Sequence, residues 1–324
     1  LITTAVMIGV PLLIICWSML QLLWTDDLST LSHLWDTVVP EYIRHSLILL
    51  VGVAVGVMVL GVSTAWLTTA CRFPGQRLLS WALLLPLAVP AYIVAYTYTG
   101  MFDYAGPFQT ALRDWFDWGY GDYWFPEVRS LGGAIVVLSL VLFPYVYLIA
   151  RATFIQQSAT TLEAGRSLGL SPWQCFFRLA LPLARPAIVT GTTLALMGTL
   201  ADYGTVQHFG VTTFTTGIFR TWYGLGDLMG ALQLAGMLLV DVMALIFIER
   251  RSRRQARYDQ RNPRPATAFV LRGWRALGAS LLCWLPLLCG FVLPALQLTL
   301  WSIERAAVWQ DPDFWQLAFN SFTL

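Results

Sequence analysis

Residues 151–185 read RATFIQQSATTLEAGRSLGLSPWQCFFRLALPLAR, and the punctuation of this stretch decides how the chain on either side is read. Thr160 followed three residues later by Glu163 is a capping-box spacing: the hydroxyl accepts from the third helical N–H and the Glu side chain returns the bond. A short helix is therefore expected to start at Thr160, with Gly169 as its C-terminal stop. Ser171-Pro172-Trp173-Gln174 opens a second helix, with Ser as N-cap, Pro at the first helical position and Gln at the third. Leu181-Pro182 is expected to end that helix before Pro186 opens a long apolar run. Leu162, Leu168, Leu170, Trp173, Phe176 and Phe177 remain as surplus apolar surface on two short helices. Such a surface marks a docking site for another protein.

Outward from this loop the chain is overwhelmingly apolar. Of 324 residues, 57% are hydrophobic and 12% charged, whereas a soluble domain carries about 25% charged residues. A soluble globule of this composition could not cover its surface with polar atoms. Crossing a bilayer takes about 20 apolar residues. Runs of that kind lie at 1–24, 46–70, 78–102, 131–150, 186–203, 228–248 and 277–301, and an eighth begins near Leu317. The implied fold class is all-α, a polytopic transmembrane helical bundle of about seven full spans and the start of another. The first run is too long for a signal-peptide core and has no basic segment before it, so it reads as a retained helix, with residues expected before it.

The loops settle the orientation. All 20 basic residues are arginine, and 15 of them fall in three regions: Arg72 and Arg77; Arg151, Arg166, Arg178 and Arg185; and nine from Arg250 to Arg275. Those regions hold only Glu163, Glu249 and Asp259 as acids. The alternate loops carry the other five arginines and nearly all remaining acids, among them Asp26, Asp36, Asp103, Asp114, Asp117 and Glu127. The positive-inside rule then places the arginine loops and the N-terminus in the cytoplasm.

The absence of lysine excludes a Walker-type ATP site, Schiff-base chemistry and lysine nucleophiles. His33, His45 and His208 show no metal spacing. The five cysteines show no CxxC and read as small hydrophobes. No catalytic residue and no metal site is expected, and a net charge of +2 gives no footprint for nucleic acid.

Segment 250–275 is polar, arginine-dense and broken by Pro263 and Pro265, so it reads as a cytoplasmic linker. Beyond this linker the chain repeats its beginning. An offset of 275 sets Pro11-Leu12-Leu13 on Pro286-Leu287-Leu288, Ser46 on Ser321 and Leu49 on Leu324. LQLLW at 20–24 echoes LQLTLW at 296–301. The expected organisation is a first helix and outer loop (1–44), a core domain (45–249) containing the cytoplasmic loop 151–185, the linker (250–275), and the start of a second repeat (276–324). Internal duplication is a common plan for transporters.

Glu163-Ala164-Gly165, three residues, Gly169, nine residues, Leu179-Ala180-Leu181-Pro182 resembles the EAA motif of ABC importer permeases of the binding-protein-dependent, type I class. Its spacing is met in full, with Gly165 in place of the second Ala and Leu179 in place of Ile. The resemblance implies that the Glu-bearing helix is a coupling helix, held in a cleft of a separate cytoplasmic ABC ATPase dimer. Glu163, Ala164, Gly165, Arg166, Leu168, Gly169 and Leu170 would then lie in or beside that contact, with Leu181 and Pro182 fixing the exit into the next span. ATP and Mg would be bound on the partner ATPase, and this chain would be a transport subunit of a bacterial inner membrane rather than an enzyme.

A second likeness narrows the substrate. ADYGTVQHFGV (201–211) and TFTTGIFRTWYGLGD (213–227), with the arginine-rich linker and duplicated plan, look like ferric iron importer permeases that fuse two six-span halves. That resemblance implies a periplasmic iron-binding protein as partner and a second permease half in a longer intact chain. Thiamine and phosphonate-type permeases share the plan. An ion-gradient-driven transporter would not need the EAA loop and would place more acids inside its spans. A membrane-embedded enzyme would need a constellation of reactive side chains at depth.

Three residues stand out for a substrate pathway. Asp202 and Tyr203 lie at the outer end of the fifth span, and Asp241 lies inside the sixth; ionisable groups at membrane depth are functional candidates. Carboxylate and phenolate oxygens suit a hard cation such as Fe3+. Asp202 has the equally simple reading of a cap on an outer turn, and Asp241 that of polar glue between helices. The outer stretch 103–129, dense in Trp, Tyr and Asp, fits either an interfacial aromatic belt or a docking surface for the binding protein. Gly52 and Gly56 permit close helix packing. Pro86, Pro90 and Pro144 are expected to kink their spans.

Overall fold

Between Arg44 and Arg72 no charged residue interrupts the chain, and this stretch forms most of helix α2 (Val39–Ala70). Pro40 sits in its first turn, where the missing N–H costs nothing, and Glu41 complements the positive end of the helix. Its hydroxyls are satisfied internally: Thr64, Thr68 and Thr69 donate to the carbonyls of Leu60, Thr64 and Ala65. That is how polar side chains are tolerated where no water is present.

The computed structural model describes residues 2–21, 38–119, 121–157, 165, 167–253, 269–306 and 311–323. In chain order its elements are α1 (Ile2–Gln21), α2, β1 (Cys71–Arg72), α3 (Gln76–Ala82), a 3-10 turn (Leu85–Ala88), α4 (Ala91–Phe102), α5 (Pro107–Phe116) and α6 (Leu131–Gln156). Next come α7 (Trp173–Ala201), α8 (Gly204–His208), α9 (Phe214–Phe219), α10 (Leu228–Arg253), β2 (Phe269–Val270), α11 (Trp274–Glu304) and α12 (Pro312–Thr323). Five described helices (α2, α6, α7, α10 and α11) are long and apolar enough to cross a membrane, and a sixth crossing is made if a bent pair counts as one span. Among the described residues the bundle is all-α apart from one two-residue strand pair.

The core is a three-helix contact of α2, α6 and α7. Small residues set its spacing: a methyl on Gly52 would lie 2.6 Å from Ile135 Cδ1 on α6. On α7, a methyl on Gly191 would lie 2.8 Å from Val146 Cα, so the two backbones nearly touch. Val53, Val57, Leu138, Phe143, Val146 and Tyr147 fill the interior. Tyr147 donates to Ser80 O at 2.7 Å, so its hydroxyl is paired although the ring is fully buried.

The run at 78–102 does not form one helix. α3 with its 3-10 turn meets the α4–α5 arm at 88°. Pro90 explains the break, because a proline ring disfavours helical backbone at the preceding residue. Val89 is indeed extended, at φ −110 and ψ 124. Pro144 and Pro186, by contrast, lie inside continuous helices.

The expected stop at Leu181-Pro182 is also absent: α7 runs through it, from Trp173 to Ala201. The reason is a five-residue π turn, Phe176–Ala180, placed directly upstream. A proline ring inside a regular helix collides with the carbonyl four residues back. Widening the preceding turn moves that carbonyl aside, so the helix accommodates Pro182 instead of ending. The same device recurs in α11, where the π turn Leu288–Val292 precedes Leu293-Pro294.

The bundle has two chemically distinct ends. At the arginine end, β1 pairs in parallel with β2 (Cys71 with Phe269, Arg72 with Val270), and Leu271 N–H donates to Arg72 O at 3.0 Å. Interval 250–275 thus begins within α10 and closes on this strand pair. From there α11 lays Ala276, Ala279, Cys283 and Leu287 into the core formed by α2, α6 and α7. Tyr98 OH donates to Cys289 O at 2.6 Å, joining α4 to α11. At the opposite, acidic end lie segments 103–130 and 202–227.

Candidate functional site: an exposed arm and a cavity at opposite ends

At the arginine end the described part of loop 151–185 resumes at Gly165. Glu163, Ala164 and Arg166 lie outside the described residues, as do Thr160 and Leu162. Gly165 is buried, and its carbonyl accepts from Leu170 N–H at 3.0 Å. Gly169 between them adopts φ +79, a backbone only glycine takes freely, and the three residues close the helix as a Schellman turn. Ser171 and Gln174 form the reciprocal cap: Ser171 N–H donates to Gln174 Oε1 at 2.9 Å, and Gln174 N–H donates to Ser171 Oγ at 3.3 Å. Both boundaries stand where the cap residues place them.

The helix so capped is an arm with two faces. Phe176 is inward, 5.1 Å from the Trp66 ring, which meets Phe154 edge-on at 5.5 Å. Gln157 Nε2 donates to Ala180 O at 3.0 Å, tying the end of α6 to the π turn. Outward, Trp173 and Phe177 stack at 5.8 Å with 71% and 57% of their surfaces exposed, and Leu168 is 82% exposed. Leu181 is half-buried and Pro182 exposed on the continuing helix. A load applied to Trp173 and Phe177 therefore reaches the interior of α7 without crossing a flexible loop.

Gly165 and Leu179, the two positions that depart from the EAA pattern, meet in space. A methyl on Gly165 would lie 2.7 Å from Leu179 Cδ1 and 3.4 Å from Cys175 Sγ. The longer reach of leucine occupies the room an alanine methyl would need.

The acidic end separates the two adjacent pathway candidates. Asp202 caps α8: Thr205 N–H donates to Oδ1 at 2.6 Å and Thr205 Oγ1–H to Oδ2 at 2.9 Å. Burial pushes its carboxyl pKa up, and the Thr205 bonds only partly offset this. Tyr203 instead turns toward Phe219, at 4.2 Å between ring centres, and lines a cavity of about 460 Å3. Tyr42, Gln207, Thr212, Thr216, Arg220 and Tyr223 contribute its other polar walls. Asp241 is on a different element, α10, half-buried and without a hydrogen bond among the described residues.

The Arg220 side of this cavity is the part that sequence reasoning overlooked. The available signal was that Arg220 is one of only five arginines outside the arginine-rich loops. A polar clasp borders the same cavity. Thr212 Oγ1–H donates to Glu41 Oε1 at 2.8 Å, so its oxygen is left to accept from His45 Nδ1 at 2.7 Å. This ties the first turns of α2 to the loop after α8 and places the imidazole proton on Nδ1.

The outer stretch 103–129 is an ordered unit built on Arg113. Its guanidinium stacks 4.3 Å from the Tyr104 ring centre and donates to Tyr123 OH at 3.0 Å, while Tyr123 OH donates to Gln109 Oε1 at 2.6 Å. Trp115 and Trp124 are 84% and 86% exposed on it.

Comparison with known proteins agrees with this architecture. Residues 57–256 match the family model described as binding-protein-dependent transport system inner membrane component. The chain is 32% identical over 149 residues to the molybdenum transport system permease protein ModB of Escherichia coli K12, covering 46% of this chain and 62% of that protein. It is 26% identical over 209 residues to the Fe(3+)-transport system permease protein FbpB 2 of Haemophilus influenzae, covering 64% of this chain and 37% of that protein. The chain thus spans less than two thirds of the length of these curated relatives. Among solved structures, a chain of a bacterial alginate ABC transporter, in complex with an alginate pentasaccharide-bound periplasmic protein, superposes with a TM-score of 0.60 over 79% of this chain and 93% of its own, at 13% identity. At that identity the likeness speaks for the fold, that of an ABC transporter permease.

Proposed function

This chain belongs to the binding-protein-dependent transport system inner membrane component family, and from that premise we propose that it is a permease subunit of an ATP-driven importer. The observation that carries this reading is the arm at the arginine end: an apolar pair, Trp173 and Phe177, displayed on a helix that runs unbroken into the core. An exposed apolar patch of this kind is a docking surface, and its rigid connection to α7 suits transmission of a partner's movement. The arginine end is the cytoplasmic end in this reading, and the N-terminus lies there with it. An ABC ATPase dimer binds the arm and holds ATP and Mg, and alternating access between two permease halves carries the cargo inward. A periplasmic binding protein delivers cargo at the acidic end.

The cargo in this proposal is ferric iron. Its support is the likeness of segments 201–211 and 213–227 to ferric permeases, together with the 209-residue match to a relative named for Fe(3+) transport. A second reading, an oxyanion such as molybdate, has its own support in the 32% identical relative named for molybdenum transport. The assignment to a permease is tested by Glu163→Arg in the full-length transporter. Both ATPase co-purification and ATP-driven uptake of 55Fe3+ are expected to fall at least tenfold, while the amount of folded permease in the membrane is unchanged. Full co-purification and uptake in that variant would overturn the coupling role. Competition of uptake by molybdate, thiamine and phosphonates separates the cargoes.

A further inference from the structure

We propose that the cavity walled by Tyr42, Tyr203, Gln207, Thr216, Arg220 and Tyr223 is an oxyanion-recognition site on the substrate path, a reading that rests on the permease assignment and under which a ferric cargo is taken as its complex with an oxyanion ligand rather than as the bare ion. The polar groups that line the cavity are a guanidinium, three phenols, an amide and two hydroxyls, and the hydroxyls are already committed: Thr212 donates to Glu41 and Thr216 to Thr213 O. Arg220 is the one charged side chain among them, and it makes no ion pair among the described residues. The two carboxylates nearest in sequence to the walls are not among the lining side chains. Asp202 spends both oxygens on Thr205, and Glu41 accepts from Thr212. A bare trivalent cation entering here would meet a fixed positive charge and no carboxylate among the lining side chains. An oxyanion would meet a planar guanidinium fork suited to two parallel bonds, with phenols to satisfy its remaining oxygens.

The walls are also built to hold their shape. Tyr203, Phe219 and Tyr223 form a ladder of rings, with centres 4.2 Å and 5.9 Å apart. Tyr42 is 5% exposed and packs edge-on against Phe214 at 6.2 Å. A methyl on Gly217 would overlap the Tyr42 ring, so the floor of the cavity and the first turn of α2 are in direct contact. Arg220 itself sits at the start of a π turn (Arg220–Gly224), a wide turn of the kind found often at functional sites. At about 460 Å3 the cavity has room for a tetrahedral oxyanion with water, or for an oxyanion that travels as a ligand on a metal ion.

The shared chemistry is the oxyanion, and two arms of one experiment separate its sources. Full-length permease is solubilised as wild type, Arg220→Gln and Arg220→Lys, and binding is measured by equilibrium dialysis. The probes are [35S]sulfate and [99Mo]molybdate in one arm and 55Fe as ferric citrate, with citrate alone as control, in the other. Saturable binding to the wild type is expected in one arm, weakened about tenfold or more by Arg220→Gln and less by Arg220→Lys, which keeps the charge but loses the fork. Binding in the first arm assigns a free oxyanion, and binding in the second but not to citrate alone assigns a metal-borne one. Equal binding by wild type and Arg220→Gln, or no binding of any probe to wild type, overturns the site. ATP-driven uptake in proteoliposomes with the ATPase and binding protein is measured in parallel. Arg220-dependent binding without any uptake removes the permease assignment, whereas uptake indifferent to Arg220→Gln removes the cavity and leaves the permease. An unchanged size-exclusion profile of the Gln variant, with the Lys variant beside it, keeps a folding defect from passing for lost recognition.

Discussion

At the scale of single residues, Asp202 shows opposing forces at one carboxyl group. Burial raises its pKa, and two bonds from Thr205 work in the other direction without cancelling it. The native state therefore holds this proton more tightly than the unfolded chain does. Its contribution to stability is fully present below the unfolded carboxyl pKa and is lost as pH rises through the elevated native value. Asp202→Asn keeps an acceptor for Thr205 N–H and cannot ionise. Thermal melting of the variant should change less than that of the wild type between about pH 4 and pH 7, and the variant should gain on the wild type toward the upper end. Parallel pH curves for the two proteins would show that the cap is not what couples this residue to pH. Gly165 and Leu179 make a different point at the same scale. Each departs from the EAA pattern, and a sequence displays them as two independent changes. Only their contact shows them to be one exchange of volume, because a methyl at one position needs the space that the other side chain fills.

Among the elements, the cap residues were legible and the breaks were not. Gly169, Ser171 and Gln174 act within a few residues of one another, so their spacing alone specifies the turn and the helix start. The alternation of arginine-rich and acidic loops likewise marks the two ends. Pro90 and Pro182 carry the same local signal, yet one breaks a span at 88° and the other is absorbed. The difference lies in the preceding turn: Val89 goes extended, whereas Phe176–Ala180 widens while Phe176 stays anchored on Trp66, a residue far back in the chain. Nothing local in the sequence reports that anchor. This account makes a prediction for Pro182→Ala. A proline inside a helix costs about 3 kcal/mol relative to alanine, so the variant should melt at or above the wild-type temperature. Removing the ring also removes the need for the π turn, and closing it would turn Trp173 and Phe177 by about 100° relative to the body of α7. Uptake per ATP hydrolysed should fall while stability does not. A variant that melts lower with coupling unchanged would contradict this explanation of the turn.

Over the whole molecule, an element near the far end of the chain completes the core. α11 begins at the strand pair of β1 with β2, passes Ala276, Ala279, Cys283 and Leu287 against the first helices, and receives Tyr98 OH on Cys289 O. The repeat expected from the sequence would make α11 a counterpart of α1, but it does not tell which surface α11 covers, because that depends on pairings 191 residues apart, as between Tyr98 and Cys289. Two glycines on α11 test the placement directly. A methyl on Gly290 would lie 2.7 Å from Leu140 O and 3.2 Å from Pro86 Cγ, and neither the α6 backbone nor the proline ring can step aside. A methyl on Gly278 would meet nothing within 4 Å. Gly290→Ala should therefore destabilise the bundle by about 1–3 kcal/mol, the usual cost of overpacking, whereas Gly278→Ala should be neutral or stabilising by up to about 1 kcal/mol through helix propensity. Both variants are measured by thermal unfolding in the same detergent. Since the two substitutions remove the same glycine flexibility from the same helix, propensity alone predicts gains of the same sign. Opposite signs require that α11 lie against α6 and the turn at Pro86 with one face and away from them with the other. Equal gains would mean that the Gly290 face is free, and α11 would then have to leave the core formed with α2, α6 and α7.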